Sequence, residues 1–438
     1  MPQPSRNDKS LRYSIGDGVF ASLMNGFTLD YFTPFLLLLG GGARHVGFLS
    51  ALPNLFSSLI QLKSADIAEK MRSRKRLINI FVLIQALMLI PMVMTFKLGE
   101  FKAASFIAIV VLFTSCGAFV APAWGSLMAD LIKDTRRGEY FGWRNKILGF
   151  VAIGSSFLAG FILHAAERYD VFWGFAAIFG AAFIFRLVSW RYLRKMHEPE
   201  LVHREEDYFS IFDFIQRANT SNFARFVFFV SIMKFCVNIA SPFFAVLMLR
   251  DLKFGYITYI AITLAATLAT NLTIKRWGMH GDKVGNLKVI RLTSKLVAFL
   301  PLLWVVNQNP AYLFCVQVFA GFAWAGFNLS ASNFIYDSST PAKRTRCIAY
   351  YNVLTGVSLG IGALAGGFLA QKMTLSMFGF GLFNIILLSA ALRLLVAFFM
   401  QFDLKEVRQV EKIKTHQLFL SMLKLKPAAV ERDADLRK

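Results

Sequence analysis

Acidic residues are the first shortage in this chain: 438 residues carry 26 Asp and Glu against 48 Lys and Arg. Charge of either sign is thin, at 17% of positions, where ordinary globular domains use about 25%. That excludes the two or three soluble domains the length alone would allow. Cysteine is equally scarce. Cys116, Cys236, Cys315 and Cys347 each stand in or beside an apolar run, without a disulfide framework or a paired-cysteine metal motif. Six scattered histidines form no pair at ligand spacing, so no metal centre is expected. The phosphate-cradling pattern Gly-x-x-x-x-Gly-Lys-Ser/Thr is missing, so ATP is not the implied energy source and no cofactor is expected. Nor does any Ser/His constellation recur at one depth, which argues against an enzyme. Met1 to Ser10 lacks the charged-then-apolar layout of a cleaved signal, and the first apolar run is expected to direct insertion itself.

A net charge of +22 raises the question of nucleic acid. The basic residues answer it by sitting in short clusters between apolar runs, as in Lys70-Met71-Arg72-Ser73-Arg74-Lys75-Arg76, with no basic domain interleaved with aromatics. Nucleic acid is therefore not an expected partner.

What the chain has in quantity is apolar surface. Hydrophobic residues make up 56%, with 46 Phe and 15 Met, and mean hydropathy is +0.52. A membrane span needs about 20 mostly apolar residues. Twelve such runs are present: 12–39, 45–69, 76–96, 103–132, 140–165, 171–191, 223–249, 254–275, 287–306, 311–337, 346–371 and 376–400. Lys and Arg crowd alternate connections, among them 70–76, 133–137, 191–195, 275–288 and 343–346, while the opposite connections are nearly neutral. The positive-inside rule then predicts a multi-pass protein of the cell membrane, inner or plasma, with both termini cytoplasmic.

The chain repeats itself. Thr33-Pro34-Phe35 returns as Ser241-Pro242-Phe243 at an offset of 208, which also sets Asp30 on Asn238. An offset of 207 sets Asp130 on Asp337, Arg137 on Arg344, Asn145 on Asn352, Gly149 on Gly356, Gly160 on Gly367 and Arg186 on Arg393. A near-constant frame across four pairs of spans implies two parallel six-span repeats. The predicted fold is an all-α integral membrane protein, twelve transmembrane helices in two pseudo-symmetric six-helix bundles. Its parts are an N-terminal bundle (1–191), a cytoplasmic linker (192–222) with a short interfacial helix near 208–215, a C-terminal bundle (223–401) and a basic cytoplasmic tail (402–438).

Between spans 8 and 9, Gly278-Met279-His280-Gly281-Asp282-Lys283-Val284-Gly285 resembles the loop signature Gly-x-x-x-Asp-Arg/Lys-x-Gly of the major facilitator superfamily. The copy between spans 2 and 3 is degenerate: Ala65 replaces the first Gly, Glu69 the Asp and Arg72 the second Gly. Span 5 lacks the proline typical of proton-linked drug antiporters of that superfamily. The resemblance implies a secondary active transporter working by alternating access, with a small polar or charged solute and a coupling cation, proton or sodium, as partners beside membrane lipid. A sugar–cation symporter, suggested by Gly16-Asp17-Gly18, and a drug exporter are the alternatives within transport. A scramblase, sensor or assembly factor on the same scaffold is the alternative outside it.

Candidate residues follow from depth. An ionisable group at mid-bilayer costs about 2.5–3.5 kcal/mol on insertion scales and so faces a partner or a wet cavity. Asn25 and Asp30 (span 1), Lys234 and Asn238 (span 7), and Asn328 and Asn333 (span 10) lie deep, in spans that line the central cavity by resemblance; they are the solute and coupling-ion candidates. The asparagines serve equally as interhelical hydrogen-bond formers. Pro34 and Pro242 release the carbonyls of Asp30 and Asn238, and Asp30 is the titratable member. Lys234 offers positive charge to an anionic solute or neutralises Asp30. Asp17, Lys63 and Asp66 are expected to form a buried ion pair. Glu69, Asp282, Asp130, Arg137, Asp337 and Arg344 are expected to form a cytoplasmic gate, with the loop acids near helix N-termini. Arg186 and Arg393 are expected to snorkel or to pack, rather than to carry chemistry. The Gly-x-x-x-Gly pairs Gly356/Gly360 and Gly362/Gly366 are expected to let helix backbones meet.

Overall fold

The computed structural model describes residues 6–71, 73–132, 137–199, 211–216, 221–339, 341–372, 381–400, 404–407 and 410. Among these the regular structure is helical throughout. Span 1 is broken: α1 (Arg6–Gly26) gives way to a 3-10 turn (Leu29–Tyr31) and then α2 (Phe32–Leu38). The first half continues with α3 (Ala43–Lys70), α4 (Arg74–Met94), α5 (Lys102–Leu131), α6 (Arg137–Ala166) and α7 (Val171–Lys195). A short α8 (Ile211–Gln216) lies in the linker, where the sequence places an interfacial helix.

Span 7 repeats the break of span 1, as α9 (Asn222–Ala240), α10 (Phe243–Val246) and a π-turn at Leu247–Asp251. The second half is completed by α11 (Tyr256–Val284), α12 (Asn286–Val306), α13 (Pro310–Ser338), α14 (Pro341–Lys372) and α15 (Leu382–Phe399). Among the described residues, 10 helical segments are long and apolar enough to cross a membrane. Helices α1 with α2, and α3, lie where spans 1 and 2 are expected, consistent with twelve. They are the spans where polar residues interrupt the apolar run, and α1 carries Asp8, Lys9, Arg12 and Asp17 along its length.

Local chemistry sets the helix ends. Ser73, Asp170, Ser221 and Asn309 each accept a first-turn amide, and Pro310 follows Asn309 at the first helical position. Gly40, at φ +81°, closes α2, with Gly41 and Gly40 donating to Leu36 and Leu37. The signature at 278–285, expected as a loop, is instead the last turns of α11; only Gly285, at φ +89°, leaves the helix. A non-glycine residue there would be strained.

With six crossings per half, α1 begins and α15 ends on the same side, here termed the terminal end, opposite the distal end. The apolar cores divide accordingly. One cluster at the distal end runs continuously through both halves, from Phe27, Tyr31 and Phe35 to Phe243, Ile260 and Trp304. Toward the terminal end the described core is split: Leu77, Leu127 and Leu193 anchor one cluster in the first half, and Phe226, Ile290 and Phe334 another in the second. The halves thus share buried surface distally and keep separate cores terminally.

Two helix pairs carry that shared distal surface, α3 with α14 and α6 with α11. Gly47 meets Gly367 backbone to backbone, Gly360 lies under Leu55 and Gly356 under Ser58. On another face of α14, Gly362 and Gly366 lie against the carbonyls of Phe235 and Ile239 on α9. The two Gly-x-x-x-Gly pairs therefore face different neighbours, one across the halves and one within the second half.

Candidate functional site

Lys234 and Asn328, two of the candidates, are brought together. The Lys234 amine donates to Asn328 Oδ1 at 3.3 Å and stands 5.0 Å from the centre of the Trp324 ring. The helices that hold them, α9 and α13, are packed by Phe226 against Phe334 nearer the terminal end. No carboxylate among the described residues pairs with this amine, so the anticipated neutralisation by Asp30 does not occur there. Trp324 also lines a cavity of 310 Å³ within the second half, with Phe244, Tyr259, Trp304, Gln317 and Arg393; neither Lys234 nor Asn328 lines it.

Asp30 occupies the 3-10 turn that breaks span 1. Its Oδ2 accepts from the Ser156 hydroxyl at 2.6 Å. Its carbonyl, released by Pro34, accepts from the Tyr259 hydroxyl at 2.9 Å across the two halves. Tyr31 donates to the carbonyl of Ser156 at 2.5 Å, so the turn is clamped to α6 twice. Asn238 takes the interhelical role: its Nδ2 donates to Leu359 O at 2.7 Å within its half and to Ser50 Oγ at 3.4 Å in the other. Asn25 and Asn333 are half-buried and form no side-chain hydrogen bond among the described residues.

Asp17 is buried, as an ion pair requires, but its described partners come from α6 and α7 rather than from span 2. Ser189 donates to its Oδ1 at 2.7 Å, Arg186 donates to Ser189 at 3.1 Å, and Arg144 Nη2 lies 3.9 Å from its Oδ2. Arg144 also donates to the Ser14 carbonyl and stands 4.4 Å from the centre of the Trp124 ring. The side chains of Lys63, Asp66 and Glu69 lie outside the described residues, as do those of Arg137 and Arg344. Of the two readings for Arg186 and Arg393, packing rather than snorkelling holds: both side chains are buried. Arg393 donates to Ser389 Oγ and to the carbonyls of Val237 and Val297. Neighbouring helices offer acceptors closer than the headgroup region, so the side chain turns inward.

The terminal-end acids have partners that the sequence reading missed. Asp130, at the end of α5, accepts from Arg74 at 2.6 Å, and Asp337, at the end of α13, accepts from Asn286 at 2.7 Å. In each half the first residue of the third span holds the acid closing the fourth. Asp282 is exposed in the last turn of α11. The N-termini of α4 and α12 are served by two further carboxylates: Glu198 accepts from Lys75 N at 3.2 Å, and Glu406 from Leu287 N at 2.8 Å. These two glutamates are themselves 208 residues apart, so the repeat frame was the signal that could have found them. The start of the tail is accordingly docked, with Leu404 buried and Lys405 paired through its backbone with Asn222.

The Major Facilitator Superfamily model matches residues 18–274 and 226–429. The chain belongs to the major facilitator superfamily. Solved structures of the same fold include a mutant form of the nucleoside transporter NupG, with a TM-score of 0.73 at 13% identity over 90% of this chain and 100% of that one. A D-xylose–proton symporter follows at 0.69 and 12%, covering 92% and 98%. A bacterial homologue of the iron transporter ferroportin, in an inward-facing state, matches at 0.68 and 11%, covering 90% and 97%. No curated protein sequence is similar enough to count as a relative. A superfamily member with these membrane-spanning helices is a multi-pass membrane protein of a transporter family, and the buried polar groups above lie inside that scaffold.

Proposed function

We propose that this superfamily member is a secondary active transporter carrying a small polar solute with negative charge, by alternating access of halves 1–191 and 223–401 about a site at Lys234. The observation that carries the reading is the Lys234 amine, deep in the bundle, with an amide oxygen and an indole face beside it but no described carboxylate. Asn328 and Trp324 orient the amine and leave its charge to be balanced; a bound carboxylate or phosphate ester balances it. A neutral sugar would not, which favours an anionic solute over the sugar–cation alternative. Asp30, on the seam between the halves, is the coupling candidate, with a proton as its natural ion. The Lys and Arg bias of the connections supports placing the terminal end in the cytoplasm. The shared distal core and divided terminal cores support a state open toward that side.

The reading is tested by thermal unfolding of purified protein across a panel of organic anions and matched neutral compounds. Stabilisers should be carboxylates or phosphate esters. Lys234→Met should weaken their binding about tenfold to a hundredfold, the loss expected for a charged hydrogen bond, while Lys234→Arg keeps part of it. A neutral ligand that stabilises wild type and Lys234→Met alike would overturn the anionic reading. Lipid movement without solute counterflow in reconstituted vesicles would favour a scramblase.

A further inference from the structure

The first half carries a second cationic site on its outer surface, well away from Lys234. At the terminal end, α4 and α7 flank a shallow, open cavity of 600 Å³ lined by Lys75, Arg76, Asn79, Ile80, Trp190 and Arg194. The nearby acid, Glu198, is occupied behind it by Ser73, Arg74 and the Lys75 amide. Three cations therefore face the cavity without a described countercharge, and Arg194 lies 4.9 Å from the centre of the Trp190 ring.

Above the cavity, α4 presents Ile80, Ile84, Leu87 and Met94 to its surroundings, all exposed. At helical spacing these residues form one stripe, about 21 Å long, and Arg76 stands on the same stripe one turn before Ile80. The helices that α4 packs against, α3, α5 and α7, all belong to its own half, which leaves this stripe to the bilayer.

We propose that this cavity binds the headgroup of an anionic phospholipid from the leaflet at the terminal end, with an acyl chain lying along the α4 stripe. The phosphodiester would accept from Arg76, Arg194 and Lys75. Three cations without a described countercharge favour a headgroup with net negative charge, as in phosphatidylglycerol, over zwitterionic phosphatidylcholine.

The test uses the full-length protein in a neutral detergent, titrated separately with phosphatidylglycerol, phosphatidylcholine and soluble glycerol phosphate, and read by thermal unfolding and by native mass spectrometry. Phosphatidylglycerol should bind and raise the unfolding temperature above the phosphatidylcholine value. Binding should weaken about fivefold for each of Lys75, Arg76 and Arg194 changed to Gln, and about a hundredfold in the triple variant. Changing Lys97 and Lys102, at the distal end, should leave binding intact. The lipid proposal is overturned if glycerol phosphate substitutes for the lipid, or if the triple variant binds phosphatidylglycerol like wild type.

Discussion

Asp17 has a stability role that its neighbours define. It is one acid between two buried arginines, Arg144 and Arg186, so the cluster already carries an excess positive charge. Asp17→Asn would keep an acceptor for Ser189 but leave both cations uncompensated, and breaking a buried pair in this way costs about 3–5 kcal/mol. Arg186→Gln should cost less, because Asp17 retains Arg144. Thermal unfolding of the two variants checks the order, and a reversed order would show that Asp17 is not the cluster's counter-ion. Depth in a span marked Asp17 as needing a partner. Which cation answers depended on how α6 and α7 pack against α1, and a sequence contains no such distances. The same holds for Lys234: its depth was legible, but neither its separation from Asp30 nor its neighbour Trp324 was.

Helix α14 is the element on which packing depends most, because it presents glycine to both halves. A Cβ at Gly366 would meet the Ile239 carbonyl oxygen on α9, a rigid backbone atom, whereas one at Gly154 on α6 would meet nothing within 4 Å. Gly366→Ala should therefore destabilise by about 1–3 kcal/mol through overpacking. Gly154→Ala should stabilise by about 0.5–1 kcal/mol through the backbone entropy that alanine removes. Unfolding temperatures moving in opposite directions would bear this out; a parallel shift would mean that the close approach of α14 to α9 is slack. The spacing of the glycines was visible in the sequence, and so were the prolines that break spans 1 and 7. The helical character of the 278–285 signature was not, because its glycines read locally as a turn while α11 continues through them, packed by Trp277 under Phe322.

For the whole molecule, the distal seam is the feature on which a change of state depends. Tyr259 bonds the Asp30 carbonyl, Asn238 reaches Ser50, and Glu167 lies against the Tyr256 amide, each across the halves. Tyr259→Phe removes one such bond, worth about 0.5–1.5 kcal/mol net, and should raise the distally open population about two- to tenfold. Distance-reporting labels at Arg168 and Lys253 would measure it; an unchanged distribution would exclude this bond from the seam's energetics. Asp30→Asn separates coupling from carriage. Driven uptake should fall while energy-independent counterflow persists, and activity unchanged in both assays would remove Asp30 from the mechanism.

Composition and periodicity determined the fold class, because a chain in lipid must close its backbone hydrogen bonds within helices and place most of its cations outside the bilayer. Spacing determined the repeat, since duplicated structure keeps a constant offset; the glutamates at 198 and 406 fit that frame, but the structure was needed to single them out. Only the tertiary structure decided which polar groups meet. Asp17 went to Arg144, Asp130 to Arg74 and Asp30 to Ser156, on spans up to 172 residues away in the case of Asp17 and Ser189. The physical reason is one of range. Helix formation and membrane insertion are governed by neighbours within a few turns, whereas a partner for a buried charge is chosen by the faces that helices turn to one another once packed.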